Sequence, residues 1–336
     1  MFSKDIGIDL GTASVLVYVK GKGVVMREPS VVAVEARTRR VVAAGNEAKL
    51  MLGKTPGSIT AMRPLKDGVI AEFDVTAAML RHYFDKVSGT TLFSRPRVII
   101  CIPYGVTEVE KRAVEDVALE AGAQSVALIE EPIAAAIGAG LKVEGAQGSM
   151  IVDIGGGTTE VAVTSLGGIV ISNSLRSAGD ELDEAIIAYM KRRHNVLIGE
   201  MTAEMLKKNI GSVHKQYDRG NMIVRGRNLL NGLPATLSVS SAEIRLAMSE
   251  EIEHIVACIA NTLENTPPEL SSDIYDNGIM LAGGGALLAG LDALISSFTG
   301  IRTTVARAPL DCVAIGIGKV IESMGELGGI VTFRSR

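Results

Sequence analysis

The chain has 336 residues, of which 47% are hydrophobic and 21% are charged. This length permits two domains around a large buried core, and the composition argues against long disordered segments. The net charge of −4, with both signs mixed along the chain, leaves no broad basic face, so nucleic acid is not an expected partner. Cys101, Cys258 and Cys312 lie far apart, which fits buried thiols in a reducing cytosol and argues against a structural zinc site.

No apolar run reaches the roughly 18 to 20 residues that a membrane-spanning helix needs. The first residues lead into a strand pattern rather than into the apolar core of a signal peptide. We therefore expect a cytoplasmic protein, whose contact with a membrane, if it has one, is peripheral.

The first half of the chain alternates strands and helices. Short antiparallel strands are predicted over residues 6–42, where β-branched residues are interrupted by glycine and proline. Thr107 and Glu110 form a capping-box pattern before a helix that Gly122 is placed to end. The other predicted elements are a helix from Asp74, a doubly buried strand over 97–102, a strand over 125–129 that leads into Glu130-Glu131-Pro132, and a helix over 134–139.

After residue 145 the pattern of strand, glycine turn and strand starts again, with a third strand over 168–172, which indicates an internal repeat. Helices are predicted over 180–210 and 242–265, and the second of these carries one apolar stripe. Residues 222–240 interrupt the helices with β-like pieces, which is typical of a small subdomain over a cleft. A last helix is predicted over 311–324.

Two glycine turns, each after an apolar strand that ends in an aspartate, are the most informative feature. Glycine lets the backbone approach a ligand closely, so that successive amides and a threonine hydroxyl can bind phosphate oxygens. Asp9 and Asp153, at the ends of the strands, can hold a hydrated Mg²⁺. One such turn would usually be only a turn, but two copies predict two similar lobes closing on one nucleotide. The phosphate-binding candidates are Gly11, Thr12, Ala13, Gly155, Gly156, Gly157 and Thr158.

A third glycine cluster comprises Gly283, Gly284, Gly285 and Ala286. It follows a predicted strand and opens a predicted helix, so it could lie flat against a purine or a ribose. Taken alone, the pattern favours a tight turn between strand and helix. Together with the two phosphate turns, it favours a nucleoside contact.

These residues resemble the actin, Hsp70 and sugar-kinase ATPases, and within them the bacterial actin homologues MreB and Mbl. The resemblance extends along nearly the whole chain. It is carried by Asp9 to Ala13, Asn46-Glu47-Ala48, Arg63 to Ile70, Ile129 to Pro132, Asp153 to Glu160, Arg225-Gly226-Arg227 and Cys312 to Gly316. Two departures stand out: Ser14, where relatives usually have asparagine, and Asn209, where they usually have an acid.

The resemblance implies an α/β, actin-like fold of two similar lobes with a duplicated RNase H-like core and nucleotide in the central cleft. The expected first lobe is 1–145, with a small subdomain over 32–65. The expected second lobe is 146–336, with a small subdomain over 180–245. The helix over 311–324 should pack back on the first lobe.

The resemblance also implies roles for individual residues. Glu131, favoured over Glu130, and Thr158 would orient the water that attacks the γ-phosphate of ATP, and Asp9 and Asp153 would surround Mg²⁺. Glu204 and Lys207 would hold the adenosine, although an ordinary surface ion pair one helical turn apart is a competing interpretation.

Leu92 and Phe93 place two large apolar side chains in a predicted loop. A loop anchored in the core is the usual explanation. In MreB-like proteins the matching loop inserts into the cytoplasmic face of the membrane.

The implied function is that of a weak ATPase that polymerises. Its filament would consist of paired antiparallel protofilaments on the membrane, and would maintain rod shape together with cell-wall elongation proteins. The alternatives are a sugar kinase-like or Hsp70-like enzyme of the same fold, or a plasmid-segregating actin. A kinase would need an acid–base carboxylate and a sugar pocket, and an Hsp70 would need a substrate-binding domain; neither is evident in the sequence.

Overall fold

A computed structural model describes residues 5–88, 95–323 and 333–335. Its strands are β1 (Asp5–Leu10), β2 (Ser14–Val19), β3 (Gly23–Pro29), β4 (Val32–Glu35), β5 (Val41–Ala44), β6 (Ile59–Met62), β7 (Leu65–Lys66), β8 (Val69–Ile70), β9 (Arg97–Ile102), β10 (Ser125–Glu130), β11 (Ser149–Ile154), β12 (Thr159–Ser165), β13 (Gly168–Leu175), β14 (Val196–Leu197), β15 (Asn221–Asn228), β16 (Pro234–Ser240), β17 (Ile279–Ala282), β18 (Thr303–Val305) and β19 (Phe333–Ser335).

Its α-helices are α1 (Asn46–Lys49), α2 (Phe73–Ser88), α3 (Glu108–Ala121), α4 (Glu131–Ala139), α5 (Gly179–His194), α6 (Glu200–Ile210), α7 (Ser241–Glu264), α8 (Pro268–Asn277), α9 (Leu291–Thr299) and α10 (Cys312–Glu322). Among the described residues, no helix combines the length and the apolar character that crossing a bilayer requires.

Two large sheets repeat one arrangement. In the first, β1, β2 and β3 form an antiparallel meander, and β9 and β10 continue the sheet in parallel with β1. In the second, β11, β12 and β13 form the meander, and β17 and β18 run parallel to β11. The internal repeat predicted from the sequence is therefore present in the fold.

The local signals in the sequence act as expected. Thr107 and Glu110 form the predicted capping box at the start of α3, and Gly122 ends that helix in the left-handed region at φ 113°. β9 is buried from its second residue onward, as a parallel strand covered on both faces should be. The stripe on α7 is also buried in the core; its buried members are Ile244, Met248, Ile252, Ile255 and Ile259.

Two small sheets extend from the large ones. β4, β5 and β6 form one of them, beside α1, and β14, β15 and β16 form the other, beside α5 and α6. The predicted interruption over 222–240 is the antiparallel pair β15 and β16.

Helices α4 and α10 touch backbone to backbone where they cross. A Cβ atom on Gly138 would overlap the carbonyl oxygen of Cys312, and one on Gly316 would overlap the carbonyl oxygen of Ala134. α10 also lies on β1, where a Cβ on Gly7 would come within 2.6 Å of Ile317. Glycine at these positions is a packing requirement, because any side chain would push the helices apart.

The core around this crossing joins the two large sheets. It contains Ile99 from β9 and Ile317 from α10 together with Ile151 from β11 and Ala162 from β12. Cys101 and Cys312 are buried in it, whereas Cys258 is only half-buried. Because both large sheets contribute to this core, it holds the strands that lead into the two glycine turns in place relative to each other.

Candidate nucleotide site

The two glycine turns are built alike. In each, the first glycine donates its amide proton to the carbonyl oxygen of the residue three positions on: Gly11 to Ser14 at 3.1 Å, and Gly155 to Thr158 at 2.9 Å. Ser14, one of the departures from the family pattern, thus closes its turn through its backbone. The strand residues before and after each turn pair in the same register.

The turns also touch each other. A Cβ on Gly156 would overlap Ala13, and one on Gly157 would lie 3.0 Å from the Thr12 hydroxyl oxygen. In the described part of the chain, no backbone hydrogen bond uses the amides of Thr12, Ala13, Gly156 or Gly157. The Thr12 hydroxyl accepts a hydrogen bond from the Gly68 amide at 2.9 Å, which leaves its own proton to donate. This corner therefore presents donors suited to an anion such as phosphate.

Four carboxyl groups lie beneath these donors. Asp9 ends β1, Asp153 ends β11, and Glu131 and Glu160 stand beside them. α4 begins at Glu131, three residues before the predicted helix start, because Pro132 is well suited to the first turn of a helix. Glu131 is therefore in the first turn of helix α4 and not at the end of strand β10.

Glu160 was not assigned a role from the sequence. It lies on β12 directly opposite Asp153 in the strand register, and its carboxylate accepts hydrogen bonds from the Tyr104 amide and the Ser174 hydroxyl. The internal repeat could have indicated this position. Glu160, two residues after Thr158, lies near the start of the strand that pairs with the strand ending near Asp153.

Burial raises the pKa of every member of this cluster. For Asp153, burial has the largest effect, followed by repulsion from Asp9 and Glu160, and together they raise its pKa to about 8. Burial, then repulsion from Glu160, Asp153 and Asp9, raises the pKa of Glu131 well above its ordinary value. Without a cation, these groups resist ionisation.

The pair Asp9 and Asp153 fits a divalent cation. Asp153 Oδ2 is buried and has no hydrogen-bond partner among the described residues, and Asp9 Oδ1 has a weak donor, the Cys101 thiol at 3.5 Å. The described residues contain no group of three or more potential ligands arranged to hold a metal by themselves. A cation here would complete its shell with water and phosphate, which is the mode that Mg²⁺ prefers.

The third glycine cluster packs directly on the second turn. A Cβ on Gly283, whose φ is 76°, would overlap the Asp153 carboxylate, and one on Gly285 would overlap Ile154. Gly284 is exposed, whereas the Ala286 side chain is buried. The cluster enters a short 3₁₀ turn, and α9 starts only at Leu291, so the helix predicted to open here begins later.

Glu204 and Lys207 do not pair with each other. Lys207 lies 2.8 Å from Asp183, and Glu204 lies 2.7 Å from Lys49 and 2.6 Å from Lys208. Burial raises the pKa of Glu204, but the hydrogen bonds from Lys208 and Lys49 outweigh it and bring this pKa to about 2. The competing interpretation, an i, i+3 surface ion pair between them, is therefore wrong, because the two side chains have separate partners.

Two ion pairs join the first half of the chain to the second half. Lys49 on α1 reaches Glu204 on α6, and Arg63 reaches Asp180 on α5 at 2.9 and 3.1 Å. Each pair links residues that are more than a hundred positions apart, so the sequence pattern gave no sign of them. They connect α1 and the residue after β6 to α6 and α5.

The apolar loop residues Leu92 and Phe93 lie outside the described residues.

Comparison with known proteins shows which family the chain belongs to. A family model described as MreB/Mbl protein matches residues 3–328. The chain belongs to the MreB/Mbl family. It is 53% identical over 334 residues to the cell shape-determining protein MreB of Escherichia coli K12, with 98% of this chain and 96% of that protein covered. It is 50% identical over 327 residues to the cell shape-determining protein Mbl of Bacillus subtilis, with 97% and 98% covered.

A solved structure in the same family, MreB 5 of Spiroplasma citri bound to AMPPNP, superposes on the chain with a TM-score of 0.92. The two are 40% identical, and the match covers 97% of this chain and 98% of that one. The actin-like fold expected from the sequence motifs is confirmed.

We predict that the carboxyl cluster makes stability depend on pH. The pKa values of Asp9 and Asp153 are raised on folding, so their contribution is full below about pH 4 and is lost as pH rises through about 7 to 8. Without nucleotide or Mg²⁺, the melting temperature should fall from pH 6 to pH 8.5, by a few °C. Calorimetry should show that the melting temperature of Asp153→Asn changes less with pH than that of the wild type. If the melting temperatures of the two proteins change equally with pH, the carboxyl cluster is not the cause of the pH dependence.

Proposed function

We propose that the chain is an ATP- and Mg²⁺-dependent cytoskeletal filament protein that determines cell shape. The observation that carries the proposal is the contact between two identically built glycine turns above a buried carboxyl cluster. It is supported by the names of the relatives, which are cell shape-determining proteins, and by the AMPPNP and ADP bound to the Spiroplasma citri structures. Family membership favours this function over a kinase or a chaperone of the same fold.

In the proposed site, the free amides of the two turns bind the phosphates of ATP. The third glycine cluster, Gly283 to Ala286, lies beside the second turn and faces the nucleoside with backbone rather than side chains. Mg²⁺ between Asp9 and Asp153 would neutralise phosphate charge. The same cation would satisfy the unpartnered oxygen of Asp153 and relieve its repulsion with Asp9.

We assign residues 1–145 to one lobe and 146–336 to the other, with small subdomains over 32–65 and 180–245. α10 packs on α4 and β1, elements of the first lobe, although it follows the second in the chain. In this arrangement the core around α4 and α10 is the hinge. The ion pairs of Lys49 and Arg63 hold the upper ends of the lobes together.

Glu131 is the proposed residue that orients the attacking water, with Thr158 opposite it on the second turn. Burial, followed by repulsion from its acidic neighbours, raises its pKa, so a bound cation that offsets their charge would make it a more effective base. Glu130 points elsewhere: it lines a cavity of about 310 Å³ with Lys111, and attraction to Lys111 lowers its pKa against the larger effect of burial. The positions of the two side chains favour Glu131.

We predict that Glu131→Ala abolishes phosphate release while ATP binding remains. Removing a positioned base lowers the rate by about 10²- to 10⁴-fold. Glu130→Ala is the matched control, with one carboxylate removed from the adjacent position, and it should hydrolyse ATP at close to the wild-type rate. Phosphate release and fluorescent-nucleotide titration should be measured on all three proteins. Equal losses in the two variants would refute the assignment.

The filament is proposed to consist of paired antiparallel protofilaments of this chain. It would lie on the cytoplasmic face of the membrane and work with cell-wall elongation proteins. Many weak contacts along a polymer add to strong binding, so one small apolar loop per subunit is sufficient. Leu92 and Phe93 are the proposed membrane residues, by resemblance to the family.

We predict that a Leu92→Ser, Phe93→Ser double variant loses cosedimentation with anionic liposomes. Burying two large apolar side chains contributes about 1.5 to 3 kcal/mol each, and serine contributes almost none of it. Polymerisation in solution, followed by light scattering, should be retained and serves as the control. A variant that pellets with liposomes as the wild type does would exclude this loop as the anchor.

A further inference from the structure

The Cys101 thiol contacts one of the two aspartates proposed to surround the cation. Its sulfur lies 3.5 Å from Asp9 Oδ1, and the two residues are 5% and 9% exposed. In the described part of the chain, no other group donates a hydrogen bond to the Asp9 carboxylate. This contact is therefore the hydrogen bond that orients the Asp9 side chain.

The strand register places the thiol there. β9 runs parallel to β1, and Ile8 lies beside Ile100 in the last pair of the ladder. One residue further along both strands, Asp9 and Cys101 lie side by side. Side chains that are neighbours across two strands point to the same face of the sheet. The contact is therefore made by two paired strands and not by a loop.

The thiol acts as a hydrogen-bond donor at neutral pH. Burial, followed by repulsion from Asp9 and Glu131, raises the pKa of Cys101 well above its ordinary value. A protonated thiol is a weak donor, and an ionised carboxylate can only accept. The thiol proton therefore lies between the sulfur and Asp9 Oδ1.

The second half of the repeat lacks this donor. β17 lies beside β11 as β9 lies beside β1, and the residue beside Asp153 is Ala282. An alanine side chain cannot donate, and Asp153 Oδ2 is buried without a hydrogen-bond partner among the described residues. The two equivalent aspartates therefore differ, because the protein orients Asp9 but leaves an oxygen of Asp153 for a ligand.

We propose that Cys101 is a positioning residue, which orients Asp9 toward the cation that would lie between Asp9 and Asp153. A hydrogen bond to one oxygen of a carboxylate restricts rotation of the group, so the other oxygen keeps a fixed direction. Residues that orient the ligands of a metal contribute to its affinity without touching it. The inference rests on the proposed Mg²⁺-dependent function and adds a residue to it.

The competing explanation is that Cys101 only fills space in the core. Cys312 offers a comparison, because it is 2% exposed in the same apolar core, and its thiol donates instead to the carbonyl oxygen of Ala308 at 3.3 Å. Truncation of either cysteine to alanine removes the same sulfur atom. Of the two thiols, only that of Cys101 donates to a carboxylate.

The test measures how much Mg²⁺ tightens the binding of ADP, which is not hydrolysed. Isothermal titration gives the affinity for ADP in Mg²⁺ and in EDTA, and the ratio of the two affinities measures the contribution of the cation. Cys101→Ala should lower this ratio about tenfold, at the small end of such effects because a thiol is a weak donor. The affinity in EDTA should not change, whereas a general disturbance of the site would lower both affinities.

Two further variants separate the hydrogen bond from packing. Cys101→Ser keeps a donor beside Asp9, so its ratio should stay close to that of the wild type. Cys312→Ala is the matched control and should also keep the wild-type ratio. If Cys101→Ala does not fold, Cys101→Val fills the space without a donor, and its ratio should fall in the same way.

Three results would overturn the inference. Cys101→Ala could keep the wild-type ratio, Cys101→Ser could lose as much of it as Cys101→Ala, or Cys312→Ala could lose as much. Either of the last two would show that packing, and not the hydrogen bond, supports the cation. A wild-type chain that binds ADP equally with and without Mg²⁺ would refute the proposed cation site itself, and a wild-type chain that does not bind ADP would refute the proposed function.

Discussion

The buried carboxyl cluster imposes the constraint on which the rest of the structure depends. Asp9 and Asp153 come from two copies of one strand and turn, and Glu131 and Glu160 surround them. Like charges in a buried site repel each other, and burial alone already opposes their ionisation. Such a site is tolerable in a folded protein if a cation and its phosphate ligands occupy it for most of the time. In the proposed function, the amides of the two glycine turns donate hydrogen bonds to those phosphates.

The fold holds the two halves of the cluster in register through backbone contacts. Gly138 and Gly316 let α4 and α10 touch, and Glu131, at the start of α4, is positioned by the same packing. The residue proposed to orient the attacking water therefore lies at the base of the proposed hinge. At the other end of the cleft, Lys49 and Arg63 reach across to α6 and α5. Packing fixes the lower end of the cleft, and ion pairs, which separate at less cost, close the upper end.

Much of this arrangement was predictable from the sequence because its signals are local. A strand, an aspartate and a glycine turn are contiguous, so their repetition predicted the two similar turns that the fold brings into contact. The capping box of Thr107 and Glu110 likewise fixed the start of α3. The 3₁₀ turn after Gly283 and the early start of α4 at Glu131 were missed, because packing against neighbouring elements decides them.

The partners of the cleft residues were not predictable, because they join distant segments. The sequence placed Glu204 and Lys207 one helical turn apart and so suggested that they act together. In the fold, Lys49 draws Glu204 toward the small sheet of the first half, and Asp183 holds Lys207 beside the second turn. Spacing along a helix indicates which side chains share a face of that helix. It does not indicate which charged groups from other elements bind those side chains.

Electron microscopy of the purified chain on an anionic lipid monolayer, with Mg-ATP and without nucleotide, tests the proposed filament most directly. We expect paired filaments on the lipid that depend on ATP, because nucleotide between the turns would close the lobes into the polymerising form. Monomers in every condition would contradict the proposed function and would favour an ATPase of this fold that does not polymerise.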